Sequence, residues 1–120
     1  MKSEYVRGWA IQLVCEDGAP GGALLAELAR LAKDDPSPVV RLYLASAAQR
    51  IPIAQRWPLL TALAAHGEDA GDRNLPLMLW YAAEPAVAAD VARGVELLAG
   101  CQIPKVQEFI TRRIAATAAK

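Results

Sequence analysis

The chain has 120 residues, of which 54% are hydrophobic, and its 13 basic and 13 acidic side chains leave a formal net charge of zero. This length suits one domain with a buried core, so residues 1–120 are treated as a single domain. A neutral chain has no overall attraction to nucleic acid or anionic membranes, and no apolar run approaches the roughly 18 residues of a membrane span. We therefore expect no nucleic-acid partner and no membrane span. The first residues also lack the apolar segment of a signal peptide.

One stretch, residues 34–44, has the features of a turn followed by the second helix of a two-helix repeat. Pro36 and Pro38 prevent a helix from continuing through them, and Asp35 or Ser37 can cap the helix that follows. Apolar residues then recur at helical spacing: Val40, Tyr43, Leu44, Ala47 and Ile51. This spacing predicts one apolar helical face.

Weaker copies of this pattern occur three more times along the chain. The four starting points, Val6, Val40, Met78 and Val106, are 34, 38 and 28 residues apart. An aromatic residue follows three positions after each start: Trp9, Tyr43, Tyr81 and Phe109. We expect Trp9 and Tyr43 to belong to the core. Irregular spacing in this range, with helical periodicity inside each unit, favours an all-α fold of the right-handed α-solenoid type.

Proline, glycine and capping residues divide the chain into seven predicted helices. Their approximate ranges are 4–15, 22–33, 38–50, 54–66, 75–84, 90–100 and 104–118. The fifth helix is expected to end or kink at Glu84-Pro85, and Asp90 is expected to cap the sixth. This predicts one unpaired leading helix followed by three pairs: two with three, four with five, and six with seven.

The motif Asp35-Pro36-Ser37-Pro38-Val39-Val40-Arg41 resembles the second helix of HEAT repeats. In that family the Asp and the Arg, six residues apart, tie neighbouring repeats together through hydrogen bonds. The resemblance implies this role for Asp35 and Arg41. The other units lack one or both residues: Arg7 stands without the Asp, Met78 replaces the Arg after Asp72, and Cys101 and Gln107 replace both. The resemblance therefore implies that this series of hydrogen bonds between neighbouring repeats is incomplete.

A narrower resemblance covers nearly the whole chain. Its residues are Arg56-Trp57-Pro58-Leu59 and Asn74-Leu75-Pro76-Leu77-Met78-Leu79-Trp80-Tyr81-Ala82-Ala83-Glu84-Pro85. They are similar to the HEAT-like helical segment of large bacterial haem-binding CxxCH proteins, which are multi-domain and membrane-bound-dehydrogenase-like. The resemblance implies that the chain is a piece of a longer, exported protein. Neither Cys15 nor Cys101 belongs to a Cys-x-x-Cys-His motif, so we expect no haem and no other cofactor in this segment.

The sequence contains one cluster of plausible metal ligands, formed by His66, Glu68, Asp69 and Asp72. Three carboxylates and an imidazole within seven residues suit a cation. The alternative is a solvated loop whose acidic residues favour the N-terminus of the next helix. Structural zinc usually takes Cys and His ligands, and calcium loops have stricter spacing, so we expect no metal here.

Two groups near helix ends are also candidates for binding sites. Trp80, Tyr81 and Glu84 suit a pocket, although aromatic residues at helical spacing more often belong to the core. Arg112 and Arg113 suit an anion or a phosphate backbone, although basic residues near a helix C-terminus also complement the helix dipole. The structural explanation is preferred for both groups.

The two cysteines are expected to be free thiols without catalytic function. A cysteine nucleophile needs a neighbouring base, and the one histidine, His66, is about two repeats from Cys15 and from Cys101. Helix layers lie about 8–10 Å apart, which exceeds the ~7 Å Cα separation that a disulfide allows.

The first helix carries a main apolar stripe predicted to be buried, formed by Val6, Trp9, Ala10 and Leu13. Further apolar residues lie off this stripe, at Tyr5, Ile11 and Val14. This predicts an apolar patch that a preceding domain covers, or through which the isolated chain associates weakly with itself. The equal alternative is that the loop at residues 18–22 folds back over it.

The sequence therefore favours a non-catalytic scaffold or interaction module, whose partners are proteins or neighbouring domains of a longer chain. The alternative is a HEAT-like nucleic-acid-binding or DNA-glycosylase-type module. That function requires a basic concave groove and a catalytic carboxylate facing it.

Overall fold

The computed structural model describes residues 3–15 and 21–118. These residues form seven α-helices and no β-strand, which confirms the all-helical fold. The helices are α1 (Glu4–Cys15), α2 (Gly22–Asp34), α3 (Pro38–Ala48), α4 (Trp57–Ala64), α5 (Leu75–Ala89), α6 (Val91–Gly100) and α7 (Pro104–Ala118). Short 3-10 turns at Ile53–Gln55 and Gly67–Gly71 precede α4 and α5. None of the described helices is long and apolar enough to cross a membrane.

The helices lie in two layers. In one layer α1 contacts α3, α3 contacts α5, and α5 contacts α7. In the other layer α2 contacts α4, and α4 contacts α6. Each even-numbered helix also packs on the odd-numbered helix that follows it, so the pairs expected from the sequence are in contact. The molecule measures 48 × 30 × 18 Å along its principal axes.

The core lies between the two layers and combines branched side chains with alanines. Its largest fully buried side chains are Leu28, Val40, Leu44, Ile51, Leu60, Leu63, Leu75, Leu79, Val87, Ile103, Val106 and Ile110. Buried alanines allow the helices to approach closely: Ala32, Ala45, Ala47, Ala48, Ala64, Ala82, Ala83 and Ala86. The face predicted for α3 is therefore buried, with Tyr43 half-buried at its edge.

Hydrogen bonds at the predicted caps account for the starts of two helices. Ser37 Oγ accepts from the backbone N–H groups of Val39 and Val40, at 3.1 and 3.4 Å, and Pro38 occupies the first turn of α3. Asp90 Oδ1 accepts from the backbone N–H of Arg93 at 3.2 Å and caps α6. Both predicted caps are confirmed.

The fifth helix does not end at Glu84, because α5 continues through Pro85 to Ala89. A proline inside a helix removes one backbone hydrogen bond and crowds the preceding turn. Here the residues on both sides of Pro85 are buried, among them Ala83, Ala86 and Val87. We infer that the packing of α5 between α3 and α7 offsets the cost of the proline.

The fourth helix is shorter than predicted, because its expected first residues form a 3-10 turn and it ends at Ala64. The 3-10 turn ends at Gln55, and α4 begins at Trp57. The buried Arg56 guanidinium donates to the carbonyls of Ile51, Gln49 and Ala82, at 2.7, 2.9 and 2.9 Å. Burial lowers the pKa of Arg56 from its ordinary value. This side chain connects the end of α3 to the middle of α5.

The apolar stripe predicted for the buried face of α1 faces solvent instead. Val6, Trp9 and Leu13 are 52%, 63% and 55% exposed. Ile11 and Cys15 are buried in their place, together with Gly8. The prediction that Trp9 belongs to the core is therefore wrong.

The equivalent aromatic residues of the other units are also less buried than the repeat pattern suggested. Tyr81 is 55% exposed, and Tyr43 and Phe109 are half-buried. The aromatic position of each unit therefore lies at the edge of the odd-numbered layer or outside it.

Candidate interaction surface

Two bidentate ion pairs connect consecutive helices of the odd-numbered layer. Arg7 on α1 donates to Asp35, before α3, through Nε and Nη2 at 2.8 and 3.1 Å. Arg41 on α3 donates to Asp69, before α5, through the same two nitrogens at 2.6 and 2.7 Å. In each pair the Asp follows the Arg by 28 residues. Asp35 and Arg41 thus both lie in links between neighbouring units.

The partner of Arg41 is Asp69 rather than Asp72, the residue that the sequence had aligned with Asp35. Asp72 instead accepts from the backbone N–H groups of Asn74 and Leu75, at 2.8 and 2.9 Å, and so caps the start of α5. Arg41 Nη1 also donates to the carbonyl of Asp35 at 3.0 Å. The Arg41 side chain therefore holds the turns before α3 and α5 together.

Gln107 reproduces part of the Arg41 geometry in the last unit. Its Nε2 donates at 2.6 Å to the carbonyl of Cys101, six residues earlier. Arg41 makes the same contact with the carbonyl six residues before it. The Gln and Cys that replace the Arg and Asp therefore keep the hydrogen bond to the carbonyl and lose the charge pair.

The residues considered as metal ligands are bound to other groups of the protein. Asp69 is buried against Arg41, as described above. His66 Nε2 lies 2.6 Å from the carbonyl of Ala32 near the end of α2, and its Nδ1 lies 3.0 Å from Glu68 Oε2. The hydrogen bond with His66, together with the Arg41 charge, lowers the pKa of Glu68. Within residues 3–15 and 21–118, no three His, Cys, Asp or Glu side chains are placed to hold a metal ion.

The aromatic and acidic residues near the end of α5 contact α7. Trp80 stacks on Phe109, with ring centroids 5.5 Å apart. Glu84 Oε2 lies 3.1 Å from Arg113 Nε, an ion pair that lacks the alignment of a hydrogen bond. Arg112 pairs with Glu108 at 2.6 Å on the same helix. Both arginines considered as anion ligands are thus paired with carboxylates.

Cys15 and Cys101 are free thiols, as predicted, and both are buried. Burial raises the pKa of both, although the charge of Arg50 partly opposes this at Cys15. A buried, protonated thiol is a poor nucleophile.

Four large apolar side chains of α1 are exposed. We call Tyr5, Val6, Trp9 and Leu13 the α1 row, and each of them is more than half exposed. Together with Ala10 and Tyr43 they line a shallow cleft of about 490 Å³. Adjacent exposed apolar side chains of this size on one helix mark a contact surface. The loop at residues 18–22, considered as a cover for this helix, lies mostly outside the described residues.

A second cleft, of about 510 Å³, adjoins the first because Tyr5 and Tyr43 line both. We call it the Arg50 cleft, and its further lining residues are Gln12, Val39, Leu42, Ser46, Ala47, Arg50, Asn74 and Met78. Its walls therefore come from α1, from α3 and from the start of α5. Arg50 is the one charged residue of this lining, and it makes no ion pair or side-chain hydrogen bond with the described part of the chain.

The sequence predicted an apolar patch on this helix but placed it at Tyr5, Ile11 and Val14, with Val6, Trp9 and Leu13 on the buried face. Tyr5 is exposed as expected, Ile11 is buried, and the side chain of Val14 lies outside the described part of the structure. A competing stripe was present in the same helix: Gly8, Ile11 and Cys15 also fall at helical spacing. Glycine adds no apolar side chain, so this stripe is the less hydrophobic of the two in the sequence. Nothing in the sequence pattern singled out Arg50.

Comparisons of the chain with models of protein families, with curated proteins and with solved structures each found no match. The function of the chain must therefore be inferred from its own surface.

Proposed function

We propose that the chain is a non-catalytic, HEAT-like α-solenoid module that serves as a scaffold or interaction surface. Its partners are proteins or neighbouring domains of a longer, haem-containing, dehydrogenase-like protein. The order of helix contacts within each layer supports a solenoid, since each unit touches the next. The two Arg–Asp pairs with the same 28-residue interval support equivalent connections between units.

The observation that carries the proposal is the exposure of the α1 row. Keeping four large apolar side chains in water is unfavourable by about 25 cal/mol for each Å² of apolar surface. A binding partner that covers them recovers this free energy. The row also adjoins the Arg50 cleft at Tyr5 and Tyr43, so the available surface extends over three helices of the odd-numbered layer.

The lining of the Arg50 cleft gives less support to a nucleic-acid-binding or glycosylase-type module. Such a module needs several cations to contact phosphates and a carboxylate for catalysis. Among the described residues, the cleft is lined by one cation, Arg50, and by no carboxylate.

Light scattering over a concentration series and the fluorescence of Nile red, a neutral apolar dye, test this proposal. We expect the isolated chain to associate weakly with itself and to increase the Nile red emission. Trp9→Glu should reduce both effects, because it places a charge in the α1 row. Val95→Glu is the matched control, since Val95 is an exposed apolar residue on α6 in the other layer.

Two results would contradict the proposed surface. One is a strict monomer that leaves Nile red emission unchanged. The other is a loss of association and dye binding that is equal for Trp9→Glu and Val95→Glu.

A further inference from the structure

The Arg50 cleft combines an apolar wall with one cation that has no carboxylate partner among the residues the structure describes. Val39, Leu42, Ala47 and Met78 supply apolar surface, and Tyr5 and Tyr43 supply two aromatic rings. The uncharged polar groups of the lining are Gln12, Ser46 and Asn74. Ligand sites typically have this composition, with mostly apolar surface and a few polar groups that determine orientation.

Arg50 differs from most arginines of the described structure in having no carboxylate partner. The paired arginines are Arg7 with Asp35, Arg30 with Glu27, Arg41 with Asp69, Arg93 with Asp90, Arg112 with Glu108 and Arg113 with Glu84. Arg73 is also unpaired among the described residues, but it does not line the cleft. Charge complementarity therefore favours a ligand with a carboxylate, which a guanidinium can bind in a bidentate manner.

The shape of the surface favours a polypeptide over a small molecule. The Arg50 cleft lies beside the cleft along the α1 row, since Tyr5 and Tyr43 line both. We call the two adjacent clefts together the groove; both have apolar lining residues, and Arg50 lines only one of them. A single amino-acid-sized ligand would leave the α1 row exposed.

We propose that this groove binds a polypeptide segment that carries apolar side chains and a nearby carboxylate. The carboxylate pairs with Arg50, and the apolar side chains cover Tyr43 and the α1 row. This inference rests on the proposed function, which it extends by naming the chemistry of the partner.

The test uses two peptides and the intact, ¹⁵N-labelled chain. The peptides are acetyl-Leu-Trp-Glu-Leu-Leu-amide and the same peptide with Gln in place of Glu. We expect the Glu peptide to shift amide resonances of α1, of α3 and of the start of α5. It should bind about two- to fivefold more tightly than the Gln peptide, the range expected for one solvent-accessible ion pair.

Two variants distinguish a contact between the Glu peptide and Arg50 from general electrostatic attraction of the peptide to the protein. Arg50→Gln should remove the preference for the Glu peptide and leave the melting temperature unchanged, because Arg50 is exposed. Arg73→Gln is the matched control and should keep the preference, since it removes an unpaired cation outside the cleft.

The possible negative results show separately whether this inference or the proposed function is wrong. Equal binding of the two peptides in the groove would overturn the role of Arg50 and leave the interaction surface intact. Binding elsewhere, or no binding, would overturn the inference, while Nile red and light scattering decide the proposed function separately. If N-acetyl-tryptophan competed as strongly as the Glu peptide binds, the ligand would be a small carboxylate, which contradicts the polypeptide partner.

Discussion

The ring of Tyr43 on α3 lies directly against the backbone of Gly8 on α1. A Cβ atom placed on Gly8 would be 2.3 Å from Tyr43 Cδ2 and 2.8 Å from Tyr43 Cγ, well inside van der Waals contact. Only a glycine leaves room for the ring at this distance. Since this contact turns the Gly8 side of α1 towards α3, Ile11 and Cys15 are buried, and Trp9 faces solvent.

Gly8→Ala should therefore destabilise the protein. Overpacking a close contact typically costs about 1–3 kcal/mol, whereas alanine improves helix propensity over glycine by about 1 kcal/mol. We expect a net loss of up to about 2 kcal/mol in the free energy of unfolding, measured with urea. Gly100→Ala is the control, because a Cβ there meets no atom within 4 Å, and it should be neutral or slightly stabilising. Equal stability of the two variants would rule out the close contact.

Removing the ion pair between Arg41 and Asp69 by a small substitution should greatly lower the free energy of unfolding. Both side chains are almost fully buried, at 3% and 2% exposure. Asp69→Asn keeps the shape but leaves the Arg41 charge without its main partner, which typically costs about 3–5 kcal/mol. Glu108→Gln removes the exposed pair with Arg112 and should change the free energy of unfolding by less than about 1 kcal/mol. A similarly small effect of Asp69→Asn would show that Arg41 is hydrated.

The protein should be less stable in acid because the stabilising contribution of the Asp35 carboxylate is lost there. Burial alone would raise its pKa, but hydrogen bonds from Arg7 and from the Ser37 backbone N–H outweigh burial, so the pKa lies below the ordinary 3.8. Because the folded state binds this proton more weakly than the unfolded chain, Asp35 stabilises the fold above about pH 4. That contribution is lost as the pH falls through the lowered pKa.

The pH dependence of urea unfolding checks this prediction. Asp35→Asn should be less stable than the unmodified chain at pH 7 and should lose less stability between pH 5 and pH 2. The same acid dependence in both proteins would mean that Asp35 has the same pKa in the folded and unfolded states.

The sequence predicted α3 well because several local signals agree there. Pro36 and Pro38 exclude a continuous helix, Ser37 supplies the cap, and the apolar residues that follow fall on one face. Prolines, glycines and capping residues elsewhere predicted the number of helices. The contacts do not single out the predicted pairs, since α3, α4, α5 and α6 each contact both of their neighbours in the chain. Of the two outcomes predicted at Pro85, an end or a kink, the end does not occur, because packing around α5 outweighs the local effect of the proline.

The burial of α1 could not be predicted because this helix is apolar on most sides. Two stripes at helical spacing compete in it, and Gly8 decides between them only through its contact with Tyr43, which lies 35 positions later in the chain. The choice between Asp69 and Asp72 as the partner of Arg41 could not be predicted for a similar reason. Both acids precede α5, and only the three-dimensional path of the turn before α5 separates their roles.

The most direct test of the account compares Trp9→Ala with Ile11→Ala in urea unfolding, because an interface on α1 requires that Trp9 face solvent and Ile11 face the core. We predict that Trp9→Ala changes the free energy of unfolding by no more than about 0.5 kcal/mol, as for other surface positions. Ile11→Ala should lose about 2–4 kcal/mol. A loss of about 3–5 kcal/mol for Trp9→Ala, with little effect of Ile11→Ala, would place Trp9 in the core and contradict the proposed interaction surface.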